Sequence, residues 1–532
     1  MAVPSSHWWQ SAVIYQIYPR SFQDDSGDGV GDLSGVRRRL PHLVELGVDA
    51  LWLSPVFRSP MADFGYDISD YTDIDPLFGT LADLDALVTA AHEHGLKVIL
   101  DLVPNHTSDQ HPWFRESRSA LQDPKRDWYI WRDPSADGGP PNNWLSDFGG
   151  GAWQYDETTA QYYYHAFLAT QPDLNWRNPE VRAAIYAVMR FWMRRGIDGF
   201  RVDVIWHLIK DDQFRDNPPN PDDRPGQAPH HAMLPVYTTD RPEVQGVIEE
   251  MRRVVDEFPE RLLIGEIYLP MDRLVAYYGR DLGGLHLPFN FALLQTHWNA
   301  RRIAKLIDDY EAALPAGAWP NWVLGNHDRP RIASRVGIEQ ARVAAMLLLT
   351  LRGTPTLYYG DEIGMQQVSV PADRVRDPLE RNLSAQGLGR DGCRTPMQWD
   401  AGAYAGFSTT EPWLPLADDH RRINVINQRD DATSIYQLHR RLIALRRSRA
   451  ALRVGNYRPI VASGDLLLFV RELGPDRLLI ALNLGDEPVE VSLAAVDLRG
   501  RLLVSTAGDR SGEKVLGALD LRGNEGAVVE LA

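Results

Sequence analysis

An acidic residue at the end of a short apolar strand is the feature of this sequence best suited to chemistry. Gly199–Val202 is predicted to be that strand, Asp203 follows it, and Arg201 stands two positions before the acid. Because side chains alternate along a strand, Arg201 and Asp203 point to the same side. A buried charge is costly unless it is paired, so this placement indicates a function. We expect the cation to keep Asp203 ionised, as a nucleophile requires.

Two further acids stand at the ends of apolar segments. Glu266 follows Leu262–Gly265, and the pair His327 and Asp328 follows Trp322–Gly325. If the three acids meet at one mouth, their charges repel each other and the repulsion raises the pKa of one of them. That group can then donate a proton at neutral pH, beside a carboxylate that can act as a nucleophile. The sequence therefore predicts a catalytic site of three carboxylates.

Each of these residues, taken alone, also has a structural explanation. Arg201 and Asp203 could form a buried ion pair, and such pairs perturb pKa values without any catalysis. Asp328 could cap a helix, since Pro330 follows closely, and His106 could be a core histidine. Only the convergence of these side chains on one face of the fold favours catalysis. The lone cysteine, Cys393, is interpreted as structural or incidental.

A loop rich in Asp and Gly after the first strand has the spacing of a metal-binding loop. Its oxygen ligands would stand at positions 1, 3, 5, 7 and 9, as in loops that bind calcium. The predicted ligands are Asp24, Ser26, Asp28, the carbonyl of Val30, and Asp32. The loop lacks the bidentate glutamate of such loops, so a solvated turn is the alternative. We predict a structural Ca²⁺ or Mg²⁺ here, and no organic cofactor.

Strand and helix signals alternate along most of the chain, which is typical of a parallel sheet in an α/β protein. The predicted strands are Ala12–Pro19, Asp49–Val56, Leu96–His106, Gly199–Val202, Leu262–Gly265, Leu285–Asn290, Trp322–Gly325 and Thr354–Gly364. Eight such units predict a closed (β/α)8 TIM barrel. The active site of such a barrel lies at the carboxyl ends of its strands, where the three acids are placed.

Two segments depart from this alternation. Residues 104–171 are rich in Trp, Tyr, Gly and Pro, and are too long for a loop, so we predict an inserted subdomain. Residues 456–532 carry short alternating strands and are predicted to form an antiparallel β-sandwich domain. The barrel would then be built from residues 1–103 and 172–455.

Composition excludes several classes of partner. The net charge of −16 argues against a nucleic acid or an anionic membrane. The N-terminal segment lacks a basic region followed by an apolar run, and no apolar run of about 18 residues occurs. One cysteine excludes an internal disulfide. We expect a cytoplasmic protein, monomeric or homodimeric, that acts on a small molecule.

Six motifs, in their order along the chain, resemble glycoside hydrolase family 13, the α-amylase family, in its α-glucosidase and oligo-1,6-glucosidase branch. They are DLVPNH (Asp101–His106), QPDLNW (Gln171–Trp176), GFRVD (Gly199–Asp203), GEIY (Gly265–Tyr268), NHD (Asn326–Asp328) and RDGCRTPMQW (Arg390–Trp399). The resemblance implies that Asp203 is the nucleophile, Glu266 the acid/base and Asp328 the transition-state stabiliser of a retaining glycosidase.

The resemblance also implies which residues bind the sugar. His106, Arg201 and His327 would hold the first glucose, Asp67 would bind its distal hydroxyls, and Tyr66 would stack on its ring. The remaining predicted contacts are Arg394, Gln171 and Val204, with Phe148, Phe167 and Phe289 as walls. The predicted substrate is a small oligosaccharide.

The linkage that is cleaved depends on the residue after the nucleophile. In this branch a valine, here Val204, resembles enzymes that accept α-1,6 links, whereas threonine resembles strict α-1,4 enzymes. We therefore expect an exo-acting α-glucosidase on isomaltose, panose or maltose, with transglycosylation as a side activity. The alternatives are a trehalose- or sucrose-active hydrolase or isomerase of the same family, and a non-catalytic binding relative.

Overall fold

An eight-stranded parallel sheet forms the centre of the computed structural model, which describes residues 7–224, 226–383, 387–492 and 499–532. The strands are β1 (Ile14–Ile17), β2 (Ala50–Leu53), β3 (Lys97–Leu102), β4 (Gly199–Val202), β5 (Leu262–Ile267), β6 (Leu287–Asn290), β7 (Asn321–Val323) and β8 (Thr354–Tyr358). They pair in the order β6-β5-β4-β3-β2-β1-β8-β7. The prediction of an α/β barrel is confirmed.

The barrel closes between β6 and β7 through a side chain. Asn321 accepts a hydrogen bond from the Asn290 N–H at 2.9 Å and donates to the carbonyl of Pro288. The amide of one asparagine thus takes the place of a backbone ladder at this seam. Because the side chain is 1% exposed, both bonds are made in a dry interior, where they cannot be exchanged for water.

The helices between the strands cover the barrel. Their bounds are Leu33–Arg38, Leu40–Leu46, Leu81–Glu93, Pro179–Arg194, Val244–Val255, Met271–Ala276, Ala300–Ala313, Ile338–Thr350 and Ile435–Ser448. Asn178 caps the fourth of these, with its side chain accepting from the Glu180 N–H. Residues 33–46 form two helices rather than one, because Pro41 has no N–H to continue the first helix.

Five of the eight strands, β1, β2, β3, β7 and β8, end earlier than the apolar runs predict. The third strand ends at Leu102, so His106 lies in the loop that follows, bridged to Asp173. The fifth strand is longer than predicted and includes Glu266 as its penultimate residue. These shifts matter because they decide how far each functional side chain stands from the barrel axis.

The region between β3 and β4 forms a small antiparallel sheet. Its strands are Trp131–Arg132, Trp153–Asp156 and Gln161–Tyr164, preceded by the helix Pro112–Ser119. A cluster of buried side chains, including Trp144 and Trp153, packs against this sheet. We call this region the inserted subdomain, residues 104–171.

The C-terminal region consists of two antiparallel sheets. The larger has strands Asn456–Ser463, Leu466–Leu473, Asp476–Asn483, Gly526–Leu531, Arg499–Ser505 and Lys514–Leu516, and the smaller has Val489–Ser492 and Ala518–Leu521. Side chains of both sheets meet in one apolar cluster, so the predicted sandwich is confirmed. A strand is predicted for residues 489–496, and its last four residues, 493–496, lie outside the described residues. Among the described residues, no helix has the length and apolarity needed to cross a membrane.

Buried Arg471 ties the C-terminal domain to the barrel. Its guanidinium donates to the carbonyls of Thr350, Leu452 and Gly455 at 2.6, 3.1 and 2.9 Å. Thr350 ends a helix of the barrel, where free carbonyls need donors. Arg471 is 0% exposed, and burial lowers its pKa. Its positive charge is stabilised here by the dipoles of backbone carbonyls.

Replacing Arg471 by Ala leaves these buried carbonyls without donors. We expect the free energy of unfolding to fall by about 2 to 4 kcal/mol, measured by urea denaturation. Arg501→Ala, at an exposed position of the same domain, is the control and should change it by less than about 0.5 kcal/mol. Equal stability of the two variants would contradict the docking role of Arg471.

Candidate active site

One guanidinium joins the acids at the mouth of the barrel. Arg201 Nη1 lies 2.9 Å from Asp101 Oδ1 and 2.7 Å from Asp203 Oδ1, and Nη2 lies 2.9 Å from Glu266 Oε2. The side chain of Arg201 is 1% exposed, so these contacts are shielded from water. The side chains of Arg201 and Asp203 do lie on the same side, as the alternation of β4 predicts.

The backbone after the nucleophile candidate is strained, and the strain places a donor on Glu266. Val204 has φ 37° and ψ 44°, a left-handed conformation that a β-branched residue rarely adopts. Such a conformation costs about 1 to 3 kcal/mol. Its N–H donates to Glu266 Oε2 at 3.0 Å, the same oxygen that Arg201 contacts. The Val204 N–H and the Arg201 guanidinium thus face the same oxygen of Glu266.

Asp203 and Glu266 are close enough to hydrogen-bond to each other. Burial, and then the neighbouring charge of Glu266, raises the pKa of Asp203 well above its ordinary value despite Arg201. Arg201 lowers this pKa, as the sequence predicts, but burial and the charge of Glu266 outweigh it. Because two buried carboxyls in contact repel each other when both are ionised, the arrangement favours the state of the pair that carries one proton.

The pKa of Asp328 is shifted in the opposite direction from that of Asp203. Burial would raise its pKa, but neighbouring cations lower it below the ordinary value. Arg394 Nη2 lies 3.0 Å and Arg390 Nη1 3.6 Å from Asp328 Oδ1. His327, 3.3 Å from Oδ2, is neutral because burial lowers its pKa well below the ordinary value. The two arginines are thus the cations that keep Asp328 ionised.

Asp67, the aspartate predicted to bind distal hydroxyls, is held within its own turn. Asp67 is 0% exposed, and its oxygens accept from the Ser59 hydroxyl at 2.9 Å and from the Ala62 and Asp63 N–H groups at 2.8 and 2.9 Å. It shapes the turn and does not face the site. Asp63 does, because its carboxylate lies 2.7 Å from Arg390, which contacts Asp328.

Asp63 was missed because both acids belong to one short turn, residues 63–67, and nothing in their spacing shows which points inward. The only signal is the intervening Gly65, whose φ of 108° reverses the chain between them. Arg390 was also missed as a site residue, although it stands within a motif. Its guanidinium contacts Asp63, Asp328 and Asp377.

Tyr66, His106 and Gln171 form the side of the site next to Asp63. The Tyr66 hydroxyl lies 2.7 Å from His327 Nε2, and the two rings stack at 5.4 Å. His106 Nε2 lies 3.0 Å from the Tyr66 carbonyl and 3.2 Å from Gln171 Nε2. Burial lowers the pKa of His106 to about 4, so the ring is neutral and can donate or accept.

Two of the three predicted phenylalanine walls border the site. Phe148 faces the Arg390 guanidinium at 5.1 Å, and Phe167 lies 5.2 Å from the His106 ring. Phe289 does not border it. That ring is 0% exposed and packs in the barrel interior against Trp52, with ring centres 5.7 Å apart. It was placed wrongly because strand alternation does not tell how deep in a barrel a side chain lies.

The predicted metal loop folds around Ser26. Asp24 accepts from the Ser26 hydroxyl at 3.1 Å, and Asp32 Oδ2 accepts from the Ser26 N–H at 2.9 Å. Asp28 is exposed and accepts from the Val30 N–H. Within the described ranges, no three His, Cys, Asp or Glu side chains form a group that could hold a metal ion. The calcium assignment stays a prediction.

The arrangement of Asp203 and Glu266 allows one type of chemistry at a sugar carbon. A pair in contact leaves no room for the water that an inverting pair, about 6.5–9.5 Å apart, needs between its carboxyls. One carboxyl can attack while the other donates a proton. The ionised Asp328 supplies negative charge beside them.

Known proteins share this architecture. A family model described as "Alpha amylase, catalytic domain" matches residues 16–455. A probable alpha-glucosidase of Rhizobium meliloti is 44% identical over 499 residues, 91% of this chain and 90% of the relative. An oligo-1,6-glucosidase of Parageobacillus thermoglucosidasius is 39% identical over 518 residues, 90% of this chain and 91% of the relative. The solved structure of an alpha-glucosyl transfer enzyme, XgtA, has a TM-score of 0.93 at 42% identity, covering 99% and 100% of the two chains.

Replacing Asp203 by Asn should raise the free energy of unfolding in alkaline solution. Because folding raises the pKa of Asp203, the native state binds the extra proton above the unfolded pKa of about 4. Stability therefore falls as the pH rises through this window, and the full loss is present above the raised pKa. The Asn variant avoids it, while Arg201 keeps Asp101 and Glu266 as partners.

Urea denaturation at pH 4 and pH 8 measures the effect. The gain from Asp203→Asn should be larger at pH 8 than at pH 4. Asp212→Asn, at an exposed position in the same loop, should give no difference between the two pH values. A loss of stability in the Asp203 variant at pH 8 would contradict the raised pKa of Asp203.

Proposed function

The chain belongs to the α-amylase family, and we propose on that premise that it is a retaining α-glucosidase, a glycoside hydrolase that releases glucose from the non-reducing end of short α-glucosides. The observation that carries the proposal is the contact of Asp203 with Glu266 under the guanidinium of Arg201. A non-catalytic relative would gain nothing from placing two repelling carboxyls in a dry site.

In the first step, the Asp203 oxygen that does not accept from Arg201 Nη1 attacks the anomeric carbon, and the C–O bond to the leaving sugar breaks. The Glu266 carboxyl donates its proton to the leaving oxygen, so the aglycone departs as an alcohol. Asp203 then holds glucose as an ester, and Glu266 is ionised. General acid catalysis of this kind contributes about 100- to 10,000-fold.

In the second step, Glu266 takes a proton from water, and the water oxygen attacks the anomeric carbon from the side that the aglycone left. The ester bond to Asp203 breaks and the configuration is retained. The Val204 N–H and Arg201 stabilise the ionised Glu266 between the two steps. Asp328 would stabilise the positive charge that develops on the sugar ring in both.

A closed pocket on the glucose side supports exo action. Arg390 joins Asp63, from the loop after β2, to Asp377, from the loop after β8, with both contacts at 2.7 Å. Phe148 of the inserted subdomain lies over the same guanidinium. These three segments cover the end of the site, which supports a pocket for one terminal glucose rather than an open cleft for a long chain.

We propose that both α-1,4 and α-1,6 links are cleaved. The side chain of Val204, 8% exposed, offers an apolar wall beside Glu266. An alpha-glucosidase and an oligo-1,6-glucosidase among the relatives support this range. A sugar hydroxyl can replace water in the second step, so we also propose transglucosylation, in keeping with the described activity of XgtA.

We propose that the loop around Ser26 holds a structural Ca²⁺ or Mg²⁺. The donor set contains only oxygens, as hard cations prefer. Although burial opposes it, hydrogen bonds from Ser408 and from backbone N–H groups lower the pKa of Asp24, so this ligand is ionised. The ion would stabilise the turn of Asp24, Asp28 and Asp32 and take no part in the reaction.

We further propose a cytoplasmic enzyme that works as a monomer or homodimer. The single cysteine, Cys393, is buried and supports a chain that needs no disulfide. The net charge of −16 supports the absence of a nucleic-acid partner.

Azide distinguishes the roles of the two carboxyls. Glu266→Ala and Asp203→Ala should each lower kcat on p-nitrophenyl α-glucoside by at least about 100-fold. Added azide should restore turnover to both, giving α-glucosyl azide from the Glu266 variant and β-glucosyl azide from the Asp203 variant, as NMR would show. The same azide anomer from both variants would contradict the assignment.

Hydrolysis of maltose and isomaltose by the unaltered enzyme tests the substrate class. NMR at early times should show an excess of α-glucose over the equilibrium mixture from both, because the glucose from the non-reducing end is released with its configuration retained. Strong preference for soluble starch over both disaccharides, compared by kcat/KM, would refute exo action on short substrates.

Removing the ion should lower Tm if the loop holds one. An ion present at 100 times its Kd adds about 2.7 kcal/mol to the free energy of unfolding. We expect EDTA to lower Tm, Ca²⁺ to restore it, and Asp24→Asn to abolish the response. An unchanged Tm and no bound metal by elemental analysis would contradict the site.

A further inference from the structure

A further carboxyl group, that of Asp147, stands farther out at the same mouth of the barrel. The side chain of Asp147 is 36% exposed, whereas those of Asp203 and Glu266 are 9% and 6% exposed. Asp147 belongs to the inserted subdomain, where its N–H donates to the carbonyl of Ala166 at 2.9 Å. It precedes Phe148, which borders the glucose side of the site.

The loop after β4 brings histidines to this carboxyl. His207 Nε2 lies 3.9 Å from Asp147 Oδ2. His230 and His231 lie close enough to interact with Asp147, and the centres of their two rings are 4.5 Å apart. His207 follows Asp203 by four residues, so the nucleophile and this cluster share one short segment. We call Asp147, His207, His230 and His231 the outer cluster.

Phe167 separates the outer cluster from the glucose site. Its ring lies 5.2 Å from His106, on the glucose side, and 5.5 Å from His207, on the other. A group bound at the outer cluster would therefore lie next to the glucose and not in its place. That position, beyond the bond to be cleaved, is where the leaving sugar must stand.

The cluster is polar and lacks a strong cation. In the described residues, the ion-pair contact of Asp147 is with His207, and no Lys or Arg pairs with it. Burial lowers the pKa values of all three imidazoles, so they are neutral and each offers one donor and one acceptor. Nδ1 of His207 and Nδ1 of His230 are buried and have no partner among these residues.

Burial in the recess, followed by the charge of Asp173, raises the pKa of Asp147 to about 7. The carboxyl is open to the pocket yet surrounded by protein, so it can both accept and donate hydrogen bonds near neutral pH. Neutral imidazoles and such a carboxyl match the hydroxyl groups of a sugar, which also donate and accept. They do not match a metal ion, since no group of metal ligands is formed in the described part of the chain.

We propose that Asp147, with His207 and His231 beside it, binds the hydroxyl groups of the leaving sugar and so selects sugar aglycones over aromatic ones. This rests on the proposed α-glucosidase activity. Asp147 is a specificity-determining residue and takes no part in the steps at the anomeric carbon. The same contacts would receive an acceptor sugar in transglucosylation.

Asp147→Asn tests the proposal by comparing two kinds of leaving group. We expect kcat/KM for maltose and isomaltose to fall about 10- to 100-fold, the loss of a hydrogen bond to a charged partner. On p-nitrophenyl α-glucoside, whose leaving group has no sugar hydroxyls, we expect less than a twofold change. Glu157→Gln, at an exposed acid of the inserted subdomain, should change neither.

A second variant tests the proposal without changing Asp147, in case that substitution disturbs the fold. His231→Gln, on the other segment, should show the same selective loss on disaccharides, and Tm should show that both variants are folded. Equal losses on all three substrates, or none, would overturn the proposal. Failure of the α-glucosidase assignment itself would look different, because the unaltered enzyme would then not hydrolyse p-nitrophenyl α-glucoside.

Discussion

The contact of one buried guanidinium with three carboxylates is the interaction on which the rest of this structure depends. Arg201 holds Asp101, Asp203 and Glu266 within 2.9 Å of its nitrogens. Two of these acids must stay in contact for the chemistry, and their repulsion in a dry site would separate them without a cation between them. The barrel provides the cation and the acids from three adjacent strands, β3, β4 and β5, whose carboxyl ends meet.

Opposite pKa shifts within one site follow from how the charges are distributed. Arg201 serves three acids, so burial and the charge of Glu266 raise the pKa of Asp203 despite its cation. Asp328 instead faces two arginines, Arg390 and Arg394, which lower its pKa. The strained backbone at Val204 adds one more fixed donor, aimed at Glu266 Oε2, the oxygen that Arg201 also contacts. Such strain persists only because the surrounding packing enforces it.

The inserted subdomain and the loop after β4 add selectivity to this centre. Phe148 and Phe167 border the glucose site, and Asp147 stands beyond them with His207. Segments that leave a barrel at the carboxyl ends of its strands can vary without disturbing the core. The groups proposed to select the leaving sugar therefore stand on segments outside the barrel strands.

The sequence by itself determined the alternation of strands and helices, the barrel, and the three acids at strand ends, because these follow from periodicity and from local rules along one segment. It did not determine which of Asp63 and Asp67 faces the site, how deep Phe289 lies, or that burial and Glu266 raise the pKa of Asp203 despite Arg201. Those depend on distances between segments far apart in the chain. Only the tertiary structure decides them, because burial and the charges of distant neighbours set both the orientation and the protonation of a side chain.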